Sequence, residues 1–176
     1  MISSIEEYFE LARRTQQRMR CRKKLQHAKD GLTAEVGEVL EAFRMKNAEA
    51  VKEECGDVCW FICELCDLAA VVVYDFDIDL YIDDYIGGGY STEDCVSMLA
   101  EANGKLHGIY QKRLQGHPSS RVEQRIYVER MLALVVLISG GQCIHDLYRI
   151  MDANVAKLEK RYPNGFSVER SLHRNE

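Results

Sequence analysis

The sequence predicts an all-α protein in which several helices pack as a bundle, and three observations support this fold class. Apolar residues recur every three or four positions over most of the chain, which is the period of a helix with one buried face. Only 2 of the 176 residues are proline and 12 are glycine, so long helices are possible. There is no repeat of fixed period and no long linker, so we expect a single domain over residues 1–176.

Three helices are predicted in the first half of the chain, over about residues 3–19, 24–45 and 48–72. In the second and third of these, apolar side chains at steps of three and four define one face. Ser3 or Ser4 is expected to be the N-cap of the first helix, because two glutamates follow in its first turn.

Residues 73–90 interrupt the helical pattern. Apolar and acidic residues alternate over 73–82, which suits a strand, but a frayed helix end followed by an irregular insertion fits equally. We expect a solvated, irregular insertion over 73–90 that ends in three glycines. Three further helices are predicted over about residues 92–114, 121–138 and 143–162, separated by breaks that contain glycine or proline.

Charge and hydropathy argue against several classes of function. The chain has 23 basic and 28 acidic residues, whereas a general nucleic-acid binder needs a basic surface. The N-terminal segment lacks the apolar core of a secretory signal, and the longest apolar run, residues 131–138, is well short of the roughly 20 residues that cross a bilayer. We expect a cytoplasmic protein (in the host cytoplasm if a phage encodes it) without nucleic-acid or membrane partners.

The 7 cysteines are expected to be free thiols, because a reducing compartment disfavours disulfides. Cys55, Cys59, Cys63 and Cys66 recur at helical spacing, which favours a stripe of small buried side chains. A zinc site on Cys63 and Cys66 is the alternative. It would need two more ligands at matching spacing, and the sequence offers no convincing second pair.

Two pairs of carboxylates lie at or beside predicted apolar faces. On the second helix Glu35 lies at the edge of the face and Glu38 one step further round, next to small residues. On the third helix Glu54 falls within the face and Asp57 at its margin. Each pair has i, i+3 spacing, so both members project from one turn. Four such groups around one volume would repel one another unless a cation lies between them, and oxygen-only ligands favour Mg²⁺ or Mn²⁺ over zinc. The alternative is a solvated glutamate-rich face that has this spacing by chance.

A second polar cluster is predicted on the last helix, where Asn154, Lys157 and Arg161 share a narrow arc. Lysine and arginine one turn apart can bind phosphate oxygens, arginine in a bidentate manner. The alternative is ordinary stabilisation of a helix C-terminus by cations.

The runs GLTAEVGEVLEAF and KEECGDVCWF resemble the E-x-x-E … E-x-x-D signature of the MazG-type all-α nucleoside triphosphate pyrophosphohydrolases. The signature falls on four acids, Glu35, Glu38, Glu54 and Asp57. The segment NVAKLEKRYPNGFS, residues 154–167, is similar to the C-terminal segment of small phage and bacterial members. The resemblance covers about residues 24–68 and 154–167, and it is weak over 73–138.

The resemblance implies hydrolysis of a nucleoside triphosphate between the α and β phosphates, which gives the monophosphate and pyrophosphate. It implies that the four acids hold two or three Mg²⁺ ions, with Mn²⁺ as a substitute, and that Glu35 or Glu38 also takes the proton of the attacking water. Selectivity for a deoxynucleotide such as dGTP is compatible with it. The family is usually oligomeric, so we expect a homodimer or homotetramer that completes the bundle and covers apolar segments such as residues 131–138.

The resemblance also suggests supporting residues. The leaving pyrophosphate would be bound by three residues, Asn154, Lys157 and Arg161. Glu41 and Glu53 each lie about one turn from a proposed ligand and are expected to support the ligands from outside. Phe61 follows Asp57 by one turn and is expected beside the site, whereas Trp60 is expected to make a packing or interface contact.

Two other functions fit the sequence less well. A ferritin-like di-iron protein needs E-x-x-H pairs, and none of the five histidines has a glutamate three residues before it. A non-catalytic helical module that binds nucleotide or a protein partner is the other alternative, and the intact acid pairs argue against it.

Overall fold

The computed structural model describes residues 1–172, and over these residues it contains helices and no strand. The helices are α1 (Ile5–Arg13), α2 (Cys21–Arg44), α3 (Ala48–Ala69), α4 (Ile78–Gly87), α5 (Thr92–Leu114), α6 (Arg121–Ile138), α7 (Ile144–Arg161) and α8 (Val168–Leu172). The predicted all-α class is confirmed. The single domain and the oligomer stay predictions.

Short polar side chains begin most of these helices. Ser4 caps α1 and Asn47 caps α3, each accepting a hydrogen bond from a backbone N–H of the first turn. At α5, Ser91 and Asp94 form a reciprocal capping box. Ser120 caps α6 in the same way as Ser4 caps α1. These caps place the starts of α3, α5 and α6 where the sequence predicted them.

The prediction of an irregular segment over residues 73–90 is wrong for its central part, which forms α4. Ile78, Ile82 and Tyr85 have the i, i+4, i+7 spacing of a helix face and are buried, so the alternation seen in the sequence does not produce a strand. Asp77 caps α4 by accepting from the backbone N–H of Leu80.

Arg125 and Glu129 on α6 anchor the start of α4. Arg125 bonds the side chain of Asp75, at 2.7 Å, and Glu129 accepts from the backbone N–H of Asp77, at 3.2 Å. These contacts come from residues about fifty positions away, so the local sequence does not reveal them.

Two helices are shorter than predicted. Helix α1 ends at Arg13 rather than near residue 19, and α3 ends at Ala69 rather than near residue 72. Ala70 has the left-handed conformation, with φ of 52°, and this stops α3.

Helix α6 forms the centre of the core. Every residue from Met131 to Val136 is buried, on all sides of the helix, and α3, α4, α5 and α7 pack around it. The apolar run over 131–138 is therefore covered mainly by its own chain, and the expectation that it needs a partner subunit was wrong. None of the helices described over residues 1–172 has both the length and the apolar character to span a membrane.

Helices α2 and α3 form a hairpin across a three-residue connection and pack along most of their length. Cys55, Cys59, Cys63 and Cys66 are buried on α3 as free thiols, which confirms the predicted stripe. The zinc alternative gains no support, because the acidic cluster Glu35, Glu38 and Glu54 is the only group of metal-binding side chains found among the described residues.

The central position of α6 predicts that a substitution in its buried part lowers the stability of the protein. Replacing the fully buried Leu132 with alanine should lower the free energy of unfolding by about 2–5 kcal/mol, because the substitution leaves a cavity. Val122, on the same helix, is 69 % exposed, so Val122→Ala is the matched control and should change stability little. Urea unfolding followed by circular dichroism measures both. Equal losses in the two variants would contradict the central position of α6.

Candidate metal centre

The α2–α3 hairpin brings three of the four predicted acids together. Glu35, Glu38 and Glu54 each offer a carboxylate oxygen, and these oxygens all lie within 4.8 Å of one another. Glu38 is exposed, while Glu35 and Glu54 are half-buried. The i, i+3 spacing on α2 places the first two on one side of the hairpin, and Glu54 meets them from α3.

The cluster raises the pKa values of its own carboxyl groups. Burial, followed by the negative charges of Asp57, Glu38 and Glu54, raises the pKa of Glu35 to about 8. Burial and the charges of Asp57 and Glu38 raise the pKa of Glu54 to about 7. The folded chain thus holds several acids whose negative charges are poorly compensated by its own cations.

This donor set suits a hard divalent cation. Its ligand atoms are all carboxylate oxygens, without the imidazole or thiolate that zinc prefers. A doubly charged ion among them would supply the charge compensation that the raised pKa values show to be missing.

Asp57 lies beside this cluster but makes different contacts. Its two carboxylate oxygens accept hydrogen bonds from Asn154 Nδ2, at 2.8 Å, and from Lys157 Nζ, at 2.5 Å. The negative charge of Asp57 still raises the pKa values of Glu35 and Glu54, so it lies within electrostatic range of both. The fourth predicted ligand is therefore adjacent to the other three and is paired with α7.

Helix α7 docks on α3 through a buried hydrogen-bond chain. The Tyr8 hydroxyl donates to Asn154 Oδ1, at 2.9 Å, and Asn154 Nδ2 then donates to Asp57. Tyr8 is fully buried and Asn154 is 3 % exposed. Gly56 permits this approach, because a Cβ there would lie 3.0 Å from the Asn154 Cβ. The sequence did not predict this role of Tyr8, because a tyrosine on the apolar face of an amphipathic helix is ordinarily a core residue.

The remaining predicted residues lie around this centre. Lys157 also pairs with Glu53, at 3.3 Å, so one ammonium joins two acids of α3. Glu41 is exposed on α2, one turn beyond Glu38. Arg161 lines a cavity that also contains Glu35 and Asp57.

That cavity has a volume of about 120 Å³ and is rich in aromatic rings. Phe61 packs edge-on against Trp60, with ring centroids 4.8 Å apart, and its ring occupies the space above Gly31, where a Cβ would overlap it. Trp60 donates from Nε1 to the Thr15 hydroxyl, at 2.8 Å, so it has the predicted packing contact and also lines the cavity.

A larger cavity, of about 720 Å³, opens on the other side of Lys157. Its basic residues are Lys52, Arg149, Lys157 and Lys160. The Asn154–Lys157 turn of α7 thus lines the larger cavity, and its partner Asp57 lines the smaller one.

A family model described as the MazG nucleotide pyrophosphohydrolase domain matches residues 23–86. This segment is similar to MazG-type domains. The match covers 64 of the 176 residues (23 to 86 inclusive) and contains all four signature acids. No curated protein and no solved structure gave a significant match.

The MazG-type match confirms the family resemblance and supports a nucleotide pyrophosphohydrolase in general terms. The match ends before α5. The contacts from α7 to Asp57 are therefore a finding of the structure alone.

The raised pKa values predict how the metal-free protein responds to pH. The folded protein keeps protons on Glu35 and Glu54 at pH values where the unfolded chain has released them, so the stability that these groups contribute is fully present below about pH 4.5. This contribution to stability is lost as the pH rises through the pKa of Glu54, about 7, and the pKa of Glu35, about 8. In the presence of a chelator, Tm should fall over this range, and Glu35→Gln should flatten that fall.

Differential scanning fluorimetry with a chelator measures this slope. Glu93→Gln, an exposed residue on α5, is the control and should keep the wild-type slope. The same slope in Glu35→Gln and wild-type protein would refute the assignment of the pH dependence to this cluster.

Proposed function

We propose that this protein hydrolyses nucleoside triphosphates between the α and β phosphates in a Mg²⁺-dependent reaction. The observation that carries the proposal is the convergence of Glu35, Glu38 and Glu54 within the MazG-type segment. Chance spacing of solvated acids on one helix does not account for carboxylates that converge from two helices, two of them, Glu35 and Glu54, half-buried.

Glu35, Glu38, Glu54 and Asp57 would hold two or three Mg²⁺ ions, with Mn²⁺ as a substitute. When bound, Mg²⁺ supplies charge compensation for phosphate oxygens and makes a coordinated water more acidic. The protein contributes a rigid set of oxygen ligands, fixed by the α2–α3 hairpin and by the Asn154 hydrogen bond to Asp57.

The reaction adds water to the α-phosphorus. The water oxygen forms a bond to this phosphorus while the bond to the bridging oxygen breaks, and the electron pair leaves with pyrophosphate. Glu35 or Glu38 takes the proton of the water. The products are the nucleoside monophosphate and pyrophosphate, and no further reactant is needed.

Lys157, Arg161 and Asn154 would bind the departing pyrophosphate. Lys157 now donates to Asp57 and pairs with Glu53, so its ammonium already lies at the edge of the acid cluster. A phosphate oxygen would take the place of one of these carboxylates. Glu53 keeps the lysine oriented, and Glu41 adds negative charge one turn beyond Glu38.

The nucleoside would lie in the aromatic cavity beside Phe61, which Glu35 and Asp57 also line. Selectivity for a deoxynucleotide such as dGTP belongs to this proposal. We also propose that the protein works in the cytoplasm as a homodimer or homotetramer, without nucleic-acid or membrane partners, and light scattering after gel filtration tests the oligomer.

The first test replaces proposed metal-binding glutamates with glutamine, which removes the negative charge and keeps the size of the side chain. Glu38→Gln and Glu54→Gln should each reduce pyrophosphate release by at least a hundredfold, because an amide oxygen carries no charge to hold Mg²⁺. The measurement is release of pyrophosphate from a panel of all common NTPs and dNTPs with Mg²⁺, and Glu93→Gln serves as the matched control. Circular dichroism checks that the variants are folded.

This test also separates the enzyme from a non-catalytic nucleotide-binding module. Calorimetry that shows nucleotide binding with Mg²⁺, without turnover of any substrate in the panel, would favour the module. Full activity in both glutamine variants would refute the metal-site assignment.

A second test concerns the cation on α7. Lys157→Ala should lower kcat/KM by about 10²-fold, since it removes a donor to charge that develops on the leaving group. Lys105→Ala removes an exposed lysine on α5 and is the control. Wild-type kcat/KM in Lys157→Ala would contradict a role for Lys157 in binding pyrophosphate.

A further inference from the structure

Glu64 on α3 is a buried acid that the metal centre does not use. It is 1 % exposed, and it pairs with His27 Nδ1, 3.2 Å from one oxygen, and with Lys24 Nζ, 3.6 Å from the other. The oxygen near Lys24 makes no hydrogen bond with any described residue. Burial of a carboxylate with so few partners is costly, and an apolar residue would pack there at lower cost. The position of Glu64 therefore calls for a functional reason.

The hydrogen bond with Glu64 fixes the orientation of the His27 ring. A carboxylate only accepts hydrogen bonds, so Nδ1–H of His27 donates to Glu64, and the neutral ring then presents Nε2 as an acceptor. Among the side chains that the structure describes in residues 1–172, which leave out those of residues 170 and 172, none forms a hydrogen bond with Nε2, and the exposed ring of His27 lines the aromatic cavity. Glu64 thus holds an acceptor at the wall of this cavity.

His27 lies at the opposite end of the cavity from the metal centre. His27, Gly31 and Glu35 are at i, i+4 and i+8 on α2, so they share one face, and His27 lies about 12 Å along the axis from Glu35 at 1.5 Å per residue. A triphosphate held at the Glu35 end would extend its nucleoside toward His27.

The walls of the cavity at this end suit a flat ring. The ring of His27 packs against Phe61, with centroids 5.6 Å apart, and Phe61 packs against Trp60. The cavity volume of about 120 Å³ is below the roughly 300–1,000 Å³ of pockets that enclose drug-sized ligands, so it suits one ring system and not a whole nucleotide.

We infer that His27 Nε2, oriented by Glu64, accepts a hydrogen bond from an amino group on the nucleobase of the substrate. His27 would then be a specificity-determining residue and Glu64 the residue that positions it. The inference rests on the proposed function, because the triphosphate sets the direction in which the base points. It predicts a preference for bases that carry an amino group over their keto or unsubstituted counterparts.

The experiment measures kcat/KM for matched substrate pairs, dCTP with dUTP, dATP with dITP and dGTP with dITP. The wild-type enzyme should favour the amino member of at least one pair by tenfold or more, because loss of the amino group leaves the acceptor unpaired. His27→Ala and His27→Phe should each bring that ratio close to one, because only the amino member makes the hydrogen bond that these variants remove. The phenylalanine variant keeps a ring against Phe61, so it remains informative if the alanine variant does not fold.

Glu64→Gln tests the positioning role through the same ratio. It should lower the discrimination with little change in kcat for the disfavoured member, which loss of fold alone would not produce. His117→Ala removes an exposed histidine from the α5–α6 connection and should keep the wild-type ratio.

The outcomes separate this inference from the proposed function. Hydrolysis by the wild-type enzyme without preference within any pair, or the wild-type ratio in both His27 variants, would overturn the role of His27 and leave the pyrophosphohydrolase in place. Failure of the wild-type protein to hydrolyse any substrate would overturn the proposed function, and the role of His27 with it.

Discussion

Mutual repulsion among carboxylates held between two packed helices is the constraint on which the site depends. Glu35, Glu38 and Glu54 converge because α2 and α3 must bury their apolar faces against each other, and the hairpin leaves these side chains no wide separation. The free energy of helix packing therefore holds like charges together. The raised pKa values of Glu35 and Glu54 show that burial and the neighbouring acids disfavour their charged forms.

Packing of the other helices holds this arrangement in place. Helix α6 fills the centre of the protein, and α3 and α7 both pack on it, which brings Asn154 and Lys157 to Asp57. The Tyr8 hydroxyl satisfies the Asn154 amide oxygen, so a buried polar group next to the acids is not left unpaired. Lys157 pairs with both Asp57 and Glu53, so the same cation joins α7 to two acids of α3.

The sequence was informative wherever one helical face determined the outcome. Apolar periodicity placed α2, α3, α5, α6 and α7 to within a few residues, and the i, i+3 spacing indicated that Glu35 and Glu38 would project together. Helix α4 was not predicted, because an alternation of apolar and acidic residues fits a strand as well as a short helix. The segment is a helix because Ile78 and Ile82 are buried and α4 packs against α6. The local sequence gives no information on this long-range packing.

The same limit applies to long-range contacts at the site. Two sets of contacts depend on how distant helices pack against each other. Asp57 pairs with Asn154 and Lys157, and Glu64 pairs with His27. Glu64 was hidden within an apolar stretch of α3, where neither spacing nor a motif separates it from a surface acid. The roles of His27 and Glu64 could be proposed only from the burial of Glu64, its hydrogen bond with His27 and the cavity that His27 lines.

The hydrogen bond between Tyr8 and Asn154 joins positions 146 residues apart, and near it the backbone N–H of Ile2 donates to Asp152, at 2.7 Å. The N-terminal segment with α1 is thus tied to α7 beside the acids. Removing residues 1–8 would remove both of these contacts to α7, whereas a fragment limited to residues 23–86 would lack α7 altogether. Expression boundaries for biochemistry are therefore best drawn outside α1 and α7, and affinity tags should be attached through flexible spacers.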